Sequence, residues 1–258
     1  MASAPQNVAL PLFYNDLVLL SSQEHSGWKA RGTDKATWLA GNNTVPLTVE
    51  EFPLAQRNYP IVFSAGENPF PMGLMGMNEG VNVFVEDDGN VPAPVYIPAY
   101  VRRYPFLLAR IRPESEELSL CVDPTSDLVG EFEEGDPLFL DGAPSESCKN
   151  TLQFCEQFEI AGQKTASFMN ELVKHNLLMD GELNIDVGNG QPFNYRGFQM
   201  VDENKLRDMR GDILRTWNQN GMLALIYAHL FSLDLVRDIF GRQVAQGKGP
   251  AIPQQAGA

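Results

Sequence analysis

GFQMVDENKLRDMRGDILRTWNQNGMLALIYAHLFSL, residues 197–233, is the stretch of this chain from which most of the fold follows. It predicts the end of a strand, a helix cap at Asp202, a short charged helix and then a strongly apolar helix. Asn220-Gly221 marks an end or a kink between the helical segments. One imidazole, that of His229, lies in the last turn of the apolar helix. This order is typical of a segment that closes a folded domain, and by itself it shows no reaction.

The residues just before this stretch predict a β-hairpin. Leu183-Asn-Ile-Asp-Val187 alternates between apolar and polar side chains, and Phe193 to Val201 is the predicted return strand. Gly188-Asn-Gly190 between them has the chemistry of a tight turn. The hairpin therefore interrupts a part of the chain that otherwise predicts helices.

A long helix is predicted before the hairpin, running toward Leu178. Its N-cap is expected at Ser145 or Ser147, and Gly162 marks a position where it can break. Further upstream, proline and glycine are frequent and the patterns predict short strands. Val81-Asn-Val-Phe-Val85 predicts one strand with its valines on one face.

These patterns predict an α+β fold, in which an antiparallel, strand-rich N-terminal half packs against a mainly helical C-terminal half with an embedded β-hairpin. Strands and helices do not alternate regularly, which disfavours a parallel doubly wound sheet. The predicted organisation is a flexible N-terminus at 1–7, one α+β domain at 8–242 and a disordered tail at 243–258. Within the domain we expect a β-rich part at 8–122, an acidic connector at 123–144 and a helix-rich part at 145–242.

The charge of the chain restricts its partners. Its 258 residues carry a net charge of -14 at pH 7. A surface of this sign repels the phosphates of nucleic acids and anionic membrane surfaces. We therefore expect a protein or peptide partner, or a small ligand, and no nucleic acid.

The cysteines and the N-terminus indicate the compartment. Cys121, Cys148 and Cys155 are too few for a disulfide framework, and we expect all three to be reduced and mostly buried. Residues 1–6 contain no basic side chain, so no signal peptide is predicted. The longest apolar stretch is too short and too polar for an integral membrane segment. A cytoplasmic protein is the expectation, with leaderless export to the cell surface as the alternative.

Motifs that carry known chemistry do not occur in the sequence. There is no HExxH, GxSxG or P-loop pattern, and the three histidines, His25, His175 and His229, lie in separate regions. We therefore predict no catalytic residue, no metal ligand and no cofactor. Only weak calcium binding is expected of the acidic clusters, because none follows the DxDxDG loop pattern; these clusters are Asp87/Asp88, Asp123/Asp127 and Asp186.

VYIPAYVRRYPF, residues 95–106, is the most unusual local chemistry of this acidic chain. In one interpretation Arg102 and Arg103 clamp a carboxylate, with Tyr100 and Tyr104 as stacking faces. If the segment is extended, Tyr100, Arg102 and Tyr104 share one face. In the other interpretation the two arginines form ion pairs with carboxylates of the connector or of the sheet, and no ligand is involved.

His229 also has two interpretations. One is a core or capping histidine whose ring nitrogens are satisfied by the protein, and the other is a functional imidazole. The candidate ligand-binding residues are therefore Tyr100, Arg102, Arg103, Tyr104 and His229.

Five segments resemble the bacterial SapC family. They are LPLFYNDLVLLSSQEHSGW at 10–28, NYPIVFS at 58–64, YIPAYVRRYPF at 96–106, GFQMVDENKL at 197–206 and GMLALIYAHLFSL at 221–233. Their order also fits the family, and the resemblance extends over residues 8–242. One departure is RGDILRTWNQN before Gly221, where the family usually carries a more acidic stretch.

The resemblance implies an association with surface-layer proteins and their export loci in Gram-negative bacteria. It also implies a genetic neighbourhood with TonB-dependent receptors, tryptophan-halogenase-like proteins and cupin- or JmjC-like proteins. It transfers no catalytic residue. The family's recurrent residues, which deserve inspection first, are Arg102, Arg103, Asp202, Glu203 and His229.

Three functions are compatible with these observations. The first is a non-catalytic accessory protein that binds a polypeptide or a small ligand for surface-layer export or for a partner modifying enzyme. The second is an enzyme on peptides or small molecules, with the Tyr/Arg segment as substrate contact and His229 or His175 as acid or base. The third is a structural component of a surface layer. The missing motifs and the few histidines favour the first.

Overall fold

The computed structural model describes residues 10–111, 117–185 and 193–249. They fold into two compact units, each built from two separate parts of the chain. Unit 1 takes residues 10–34 and 102–159, and unit 2 takes residues 35–101 and 160–249. The turn predicted at Gly188-Asn-Gly190 lies outside the described residues.

The described residues contain short strands and, mostly after residue 145, helices. The strands are β1 (Val18–Leu19), β2 (Lys29–Ala30), β3 (Thr44–Pro46), β4 (Ile61–Ser64), β5 (Pro71–Leu74), β6 (Phe106–Arg110), β7 (Leu118–Val122), β8 (Val129–Gly130), β9 (Asp136–Pro137), β10 (Phe139–Leu140), β11 (Ala143–Pro144), β12 (Leu178–Asp180), β13 (Leu183–Ile185), β14 (Phe193–Tyr195) and β15 (Phe198–Val201). The α-helices are α1 (Phe52–Ala55), α2 (Ala99–Arg102), α3 (Glu146–Lys174), α4 (Glu203–Arg207), α5 (Gly211–Gln219), α6 (Met222–Ser232) and α7 (Val236–Ala245), with 3-10 turns at Thr37–Leu39, Val49–Glu51 and Leu233–Leu235.

Unit 2 is built around an antiparallel sheet with the strand order β12-β15-β4-β5-β3. Three of its strands come from the N-terminal half of the chain and two from the C-terminal half. Helix α6 packs against the neighbouring strands β4 and β15. Strands β13 and β14 form the embedded hairpin. The fold is therefore α+β, with antiparallel strands in the N-terminal half and helices in the C-terminal half, as predicted.

Unit 1 has a smaller core between short antiparallel sheets, β1-β7-β6 and β8-β2-β9, and helix α3. Cys148 and Cys155 lie in this core, two turns apart on α3, and Cys121 is buried on β7. Burial raises the pKa of all three thiols, that of Cys155 to about 12. They are free and buried, as predicted, and the raised pKa leaves them inert as nucleophiles at neutral pH.

The acidic stretch 123–144 is part of unit 1 and does not separate the two units. It carries β8 to β11, and β8 and β9 flank β2 in one sheet. The following helix α3 starts where the sequence predicts, because the hydroxyl of Ser145 accepts the Cys148 N–H at 3.1 Å. Contrary to the prediction, Gly162 does not interrupt α3, which continues for 29 residues. One glycine costs a helix only about 1 kcal/mol.

The segment Val81–Val85 does not form the predicted strand. Its Asn82 side chain donates to the carbonyl oxygens of Leu39 and Asn42 and accepts from the Phe84 N–H. An asparagine that bonds distant and local backbone groups in this way holds the chain out of a ladder. The segment is an irregular, buried loop instead.

The chain remains folded beyond Arg242, where the sequence predicts a disordered tail. Helix α7 continues to Ala245, and Gln243 is completely buried. Its side-chain oxygen accepts the Met77 N–H at 2.8 Å, and its side-chain nitrogen donates to Asn78 Oδ1 and to the Lys248 carbonyl. Within the described residues, no helix is both long and apolar enough to cross a membrane.

Replacing Gln243 by alanine tests this anchor. The variant leaves the buried Met77 N–H without its acceptor, which costs about 1–3 kcal/mol in the free energy of unfolding. Urea unfolding of Gln243→Ala against the wild type measures the loss. The exposed Gln219 on α5 provides the control, since Gln219→Ala is expected to change stability by less than about 0.5 kcal/mol. Equal stability of both variants would contradict the anchor.

Candidate functional site

His229 lies inside the sheet of unit 2, at the point where strands β4 and β15 separate. The two strands pair at Phe198 with Ser64 and at Gln199 with Phe63. Continued in the same register, the ladder would set Val201 opposite Ile61. The imidazole of His229 stands between these two residues instead. The Val201 N–H donates to Nε2 at 3.1 Å, and Nδ1 donates to the Ile61 carbonyl at 2.8 Å.

This pair of bonds fixes the state of the ring. Since Nε2 accepts a hydrogen bond from a backbone amide, the proton of the neutral ring must be on Nδ1. Ser232, one turn further along α6, accepts the Ile61 N–H at 2.8 Å and donates to the His229 carbonyl at 2.6 Å. The Phe63 ring lies 4.5 Å from the imidazole, measured between centroids. Helix α6 thus binds both backbone groups of Ile61.

His229 is therefore a core residue, and this placement corrects its selection as a ligand contact. Its side chain is completely buried, so no ligand has access to the ring. Burial lowers the pKa of His229 to about 4, against the ordinary value of 6.5, despite the opposing bond to the Ile61 carbonyl. The ring is neutral at neutral pH and both nitrogens are engaged, which leaves it unsuited to act as an acid or a base.

The lowered pKa predicts a pH dependence of stability. The unfolded chain takes up a proton on His229 below about pH 6.5, whereas the folded chain does so only near pH 4. The contribution of the neutral His229 ring to the free energy of unfolding is therefore fully present above about pH 6.5. It is lost as the pH falls toward 4, by about 3 kcal/mol in total.

The pH dependence is measured by urea unfolding of the wild type and of His229→Gln between about pH 7 and about pH 4. All other titrating groups are shared, so they cancel in the difference. The variant is expected to be less stable at neutral pH, and the gap should narrow on acidification. A gap that stays constant with pH would contradict the neutral, buried ring.

Tyr100 belongs to unit 2 and is also buried, at 6% exposure. The segment around it is helical rather than extended, because α2 begins at Ala99. The buried carboxylate of Glu51 causes this, since it accepts the Ala99 N–H at 2.6 Å and the Tyr96 hydroxyl at 3.0 Å. Pro98, just before the helix, favours such a start. Tyr100 is thus a packing residue rather than an open stacking face.

A groove of about 550 Å³ in unit 1 contains the remaining three predicted residues, Arg102, Arg103 and Tyr104. A third arginine, Arg31, lines the same groove and was not predicted from the sequence. Arg31 and Arg102 are exposed, whereas Arg103 is 9% exposed. The structure therefore brings together three cationic side chains in a protein of strongly negative net charge.

Each of these arginines lies over a phenylalanine ring of unit 1. The guanidinium carbon is 3.5 Å from the ring centroid in the pair Arg31–Phe132, 5.2 Å in Arg102–Phe154 and 4.2 Å in Arg103–Phe158. Phe154 and Phe158 are one turn apart on α3, so adjacent arginines meet adjacent rings. Stacking uses the face of a guanidinium and restrains its orientation, while its N–H donors lie in the plane at the edge.

Two further side chains set the polarity around the arginines. A carboxylate oxygen of Glu159 lies 3.7 Å from a guanidinium nitrogen of Arg103. Tyr104 is buried against Tyr14, with ring centroids 5.2 Å apart, and burial raises the pKa of its phenol. Tyr104 is a neutral wall of the groove rather than a charged group.

The other histidines have protein partners. His25 is buried in unit 1 and its Nδ1 contacts the backbone of Ser21. His175, in unit 2, has its Nε2 3.4 Å from Glu171 and its ring edge-on to Trp217 at 5.2 Å. Neither histidine lines the arginine groove.

The acidic clusters also bond protein groups. Asp88 pairs with Lys35 at 2.8 Å, which holds the pKa of that carboxyl below its usual range, and Asp87 pairs with Lys248. Asp123 accepts the Asn15 N–H at 2.7 Å and the Thr125 hydroxyl. Asp186 lies outside the described residues. Among residues 10–111, 117–185 and 193–249, no group of three or more His, Cys, Asp or Glu side chains is placed to hold a metal ion.

Comparison with known proteins gives one match. The protein-family model SapC matches residues 20–239. The comparison with curated proteins and the comparison with solved structures give no match.

Proposed function

Since the chain belongs to the SapC family, we propose that it is a non-catalytic accessory protein that binds a polypeptide or a small ligand. In this proposal the binding serves surface-layer export or a partner enzyme that modifies the bound molecule. The ligand site is the groove of unit 1, and the group it recognises is anionic.

The observation that carries the proposal is the set of three stacked arginines in one groove. The planar fork of a guanidinium matches carboxylates and phosphates, and a contact with an aromatic ring restrains it. The chain has a net charge of -14, yet three positive side chains line one groove: Arg31, Arg102 and Arg103. Ordinary solubility favours cations spread over the surface rather than gathered in a concave site.

The chemistry of the groove supports binding over catalysis. Its described lining contains no histidine and no cysteine, the residue types that most often act as base or nucleophile. Of the two histidines named as acid or base for an enzyme, His229 is a neutral core residue and His175 does not line the groove. A structural surface-layer component remains a separate alternative, and it predicts oligomers that grow with concentration or with added calcium in light scattering.

The proposal is tested by a pull-down from the native host, with mass spectrometry of the proteins and small molecules that co-purify. The baits are the wild type, Arg102→Glu and the control Arg110→Glu. Arg110 is exposed in the same unit and does not line the groove. Reversing the exposed charge of Arg110 is expected to change stability by less than about 0.5 kcal/mol, and losing the contact of Arg102 with the Phe154 ring by about 0.5–1 kcal/mol.

We expect a partner or ligand that the wild type and the Arg110 control retain and that Arg102→Glu loses by about tenfold or more. Equal recovery by all three baits would show that the groove is not the site. Recovery of no specific molecule by any bait, together with calcium-dependent oligomers, would favour the structural component.

A further inference from the structure

The charged side chains that line the groove determine how much negative charge on a ligand the groove favours. Three guanidiniums and the carboxylate of Asp136 leave a net charge of two positive on the lining. Glu159, beside Arg103, lowers the effective charge further. Beyond the groove, the protein's field repels every additional negative charge on a ligand. A single carboxylate therefore suits the groove better than a phosphate dianion or a polyanion.

The size of the groove suits a ligand that is larger than its anionic group. A volume of about 550 Å³ falls in the range of sites that enclose drug-sized ligands or short peptide segments. Part of the lining is apolar, with Phe106, Leu128 and Phe154. The carboxylate must therefore be joined to a body with apolar groups.

Helix α3 adds neutral polar groups to the same wall. Asn150 and Thr151 follow Ser147 by one turn on α3, and all three line the groove. The Thr151 hydroxyl donates to the Ser147 carbonyl at 3.0 Å, so its lone pairs are available as acceptors. Amide and hydroxyl groups next to a cationic cluster match the backbone amides that precede a peptide's terminal carboxylate.

We infer that the groove takes the C-terminal end of a polypeptide. The terminal carboxylate meets the arginines, the last side chain packs on the apolar wall, and the preceding amides meet the polar face of α3. This inference rests on the proposed binding function. The same chemistry, one carboxylate on an apolar body, also occurs in small carboxylic acids, and the experiment separates the two sources.

The experiment measures fluorescence anisotropy of short random peptides ending in phenylalanine, labelled with rhodamine at the N-terminus, with the full chain. Each peptide pool is made as the free acid and as the C-terminal amide. The free acid is expected to bind at least about tenfold more tightly than the amide. Arg102→Lys and Arg31→Lys keep the charge but lose the planar fork, and each should weaken free-acid binding by about fivefold. Arg110→Lys is the matched control and should bind like the wild type.

The other outcomes separate the inference from the proposed function. Equal binding of acid and amide, lost in Arg102→Glu, would overturn recognition of the terminus and leave polypeptide binding in place. Tighter binding of N-acetylphenylalanine than of any peptide would identify a small carboxylic acid, and complete displacement by inorganic phosphate would identify a phosphate site. No binding of any probe, or binding that Arg102→Glu does not change, would overturn both.

Discussion

The imidazole of His229, inserted between strands β4 and β15, is the constraint on which unit 2 depends. It replaces a direct ladder bond between Val201 and Ile61 with two bonds through the ring. Because Ser232 binds the other backbone group of Ile61, helix α6 is joined to the sheet by hydrogen bonds as well as by apolar packing. A protonated ring has no acceptor for the Val201 N–H, so this arrangement requires the neutral form. Burial lowers the pKa of His229 and thus keeps the ring in the neutral form that both hydrogen bonds need.

The two units differ in what their polar side chains contact, and the proposed binding site belongs to unit 1. In unit 2 the candidate residue His229 and the buried Glu51 bind backbone groups and hold elements in place. In unit 1 arginines gather over phenylalanine rings at a groove. In the proposed function, long-range repulsion by the acidic surface and short-range attraction by the groove would together favour ligands with little negative charge.

Local patterns were sufficient for much of the fold. Asp202 caps α4 by accepting the N–H groups of Asn204 and Lys205, as its position before a charged helix predicts. Gly221, with a φ of 83°, supplies the left-handed turn between α5 and α6 that Asn220-Gly221 indicates. The embedded hairpin of β13 and β14 and the α+β class follow from the same kind of local chemistry.

Contacts between distant residues decided the rest. Asn82 bonds the carbonyls of Leu39 and Asn42, far away in sequence, and no local pattern reveals that it replaces a strand. In the sequence, His229 is one polar residue on an apolar helix. Only the strand register shows which backbone groups its nitrogens bind. Arg31 carries no motif and lies in a different part of the sequence from Arg102, so its place in the groove depends on the fold of unit 1. The clustering at 96–106 therefore predicted the part of the candidate site that lies in that segment, and it did not predict Arg31.

The most direct test of the proposed binding site and of the structural role of His229 is an NMR titration. It follows the side-chain nitrogens as a short peptide free acid ending in phenylalanine is added. The account predicts that the Nε–H signals of Arg31, Arg102 and Arg103 shift, while Arg110 does not. It also predicts that the His229 ring keeps its proton on Nδ1 and does not respond to the peptide. A shift of the His229 ring signals on binding, with unchanged arginine signals, would contradict it.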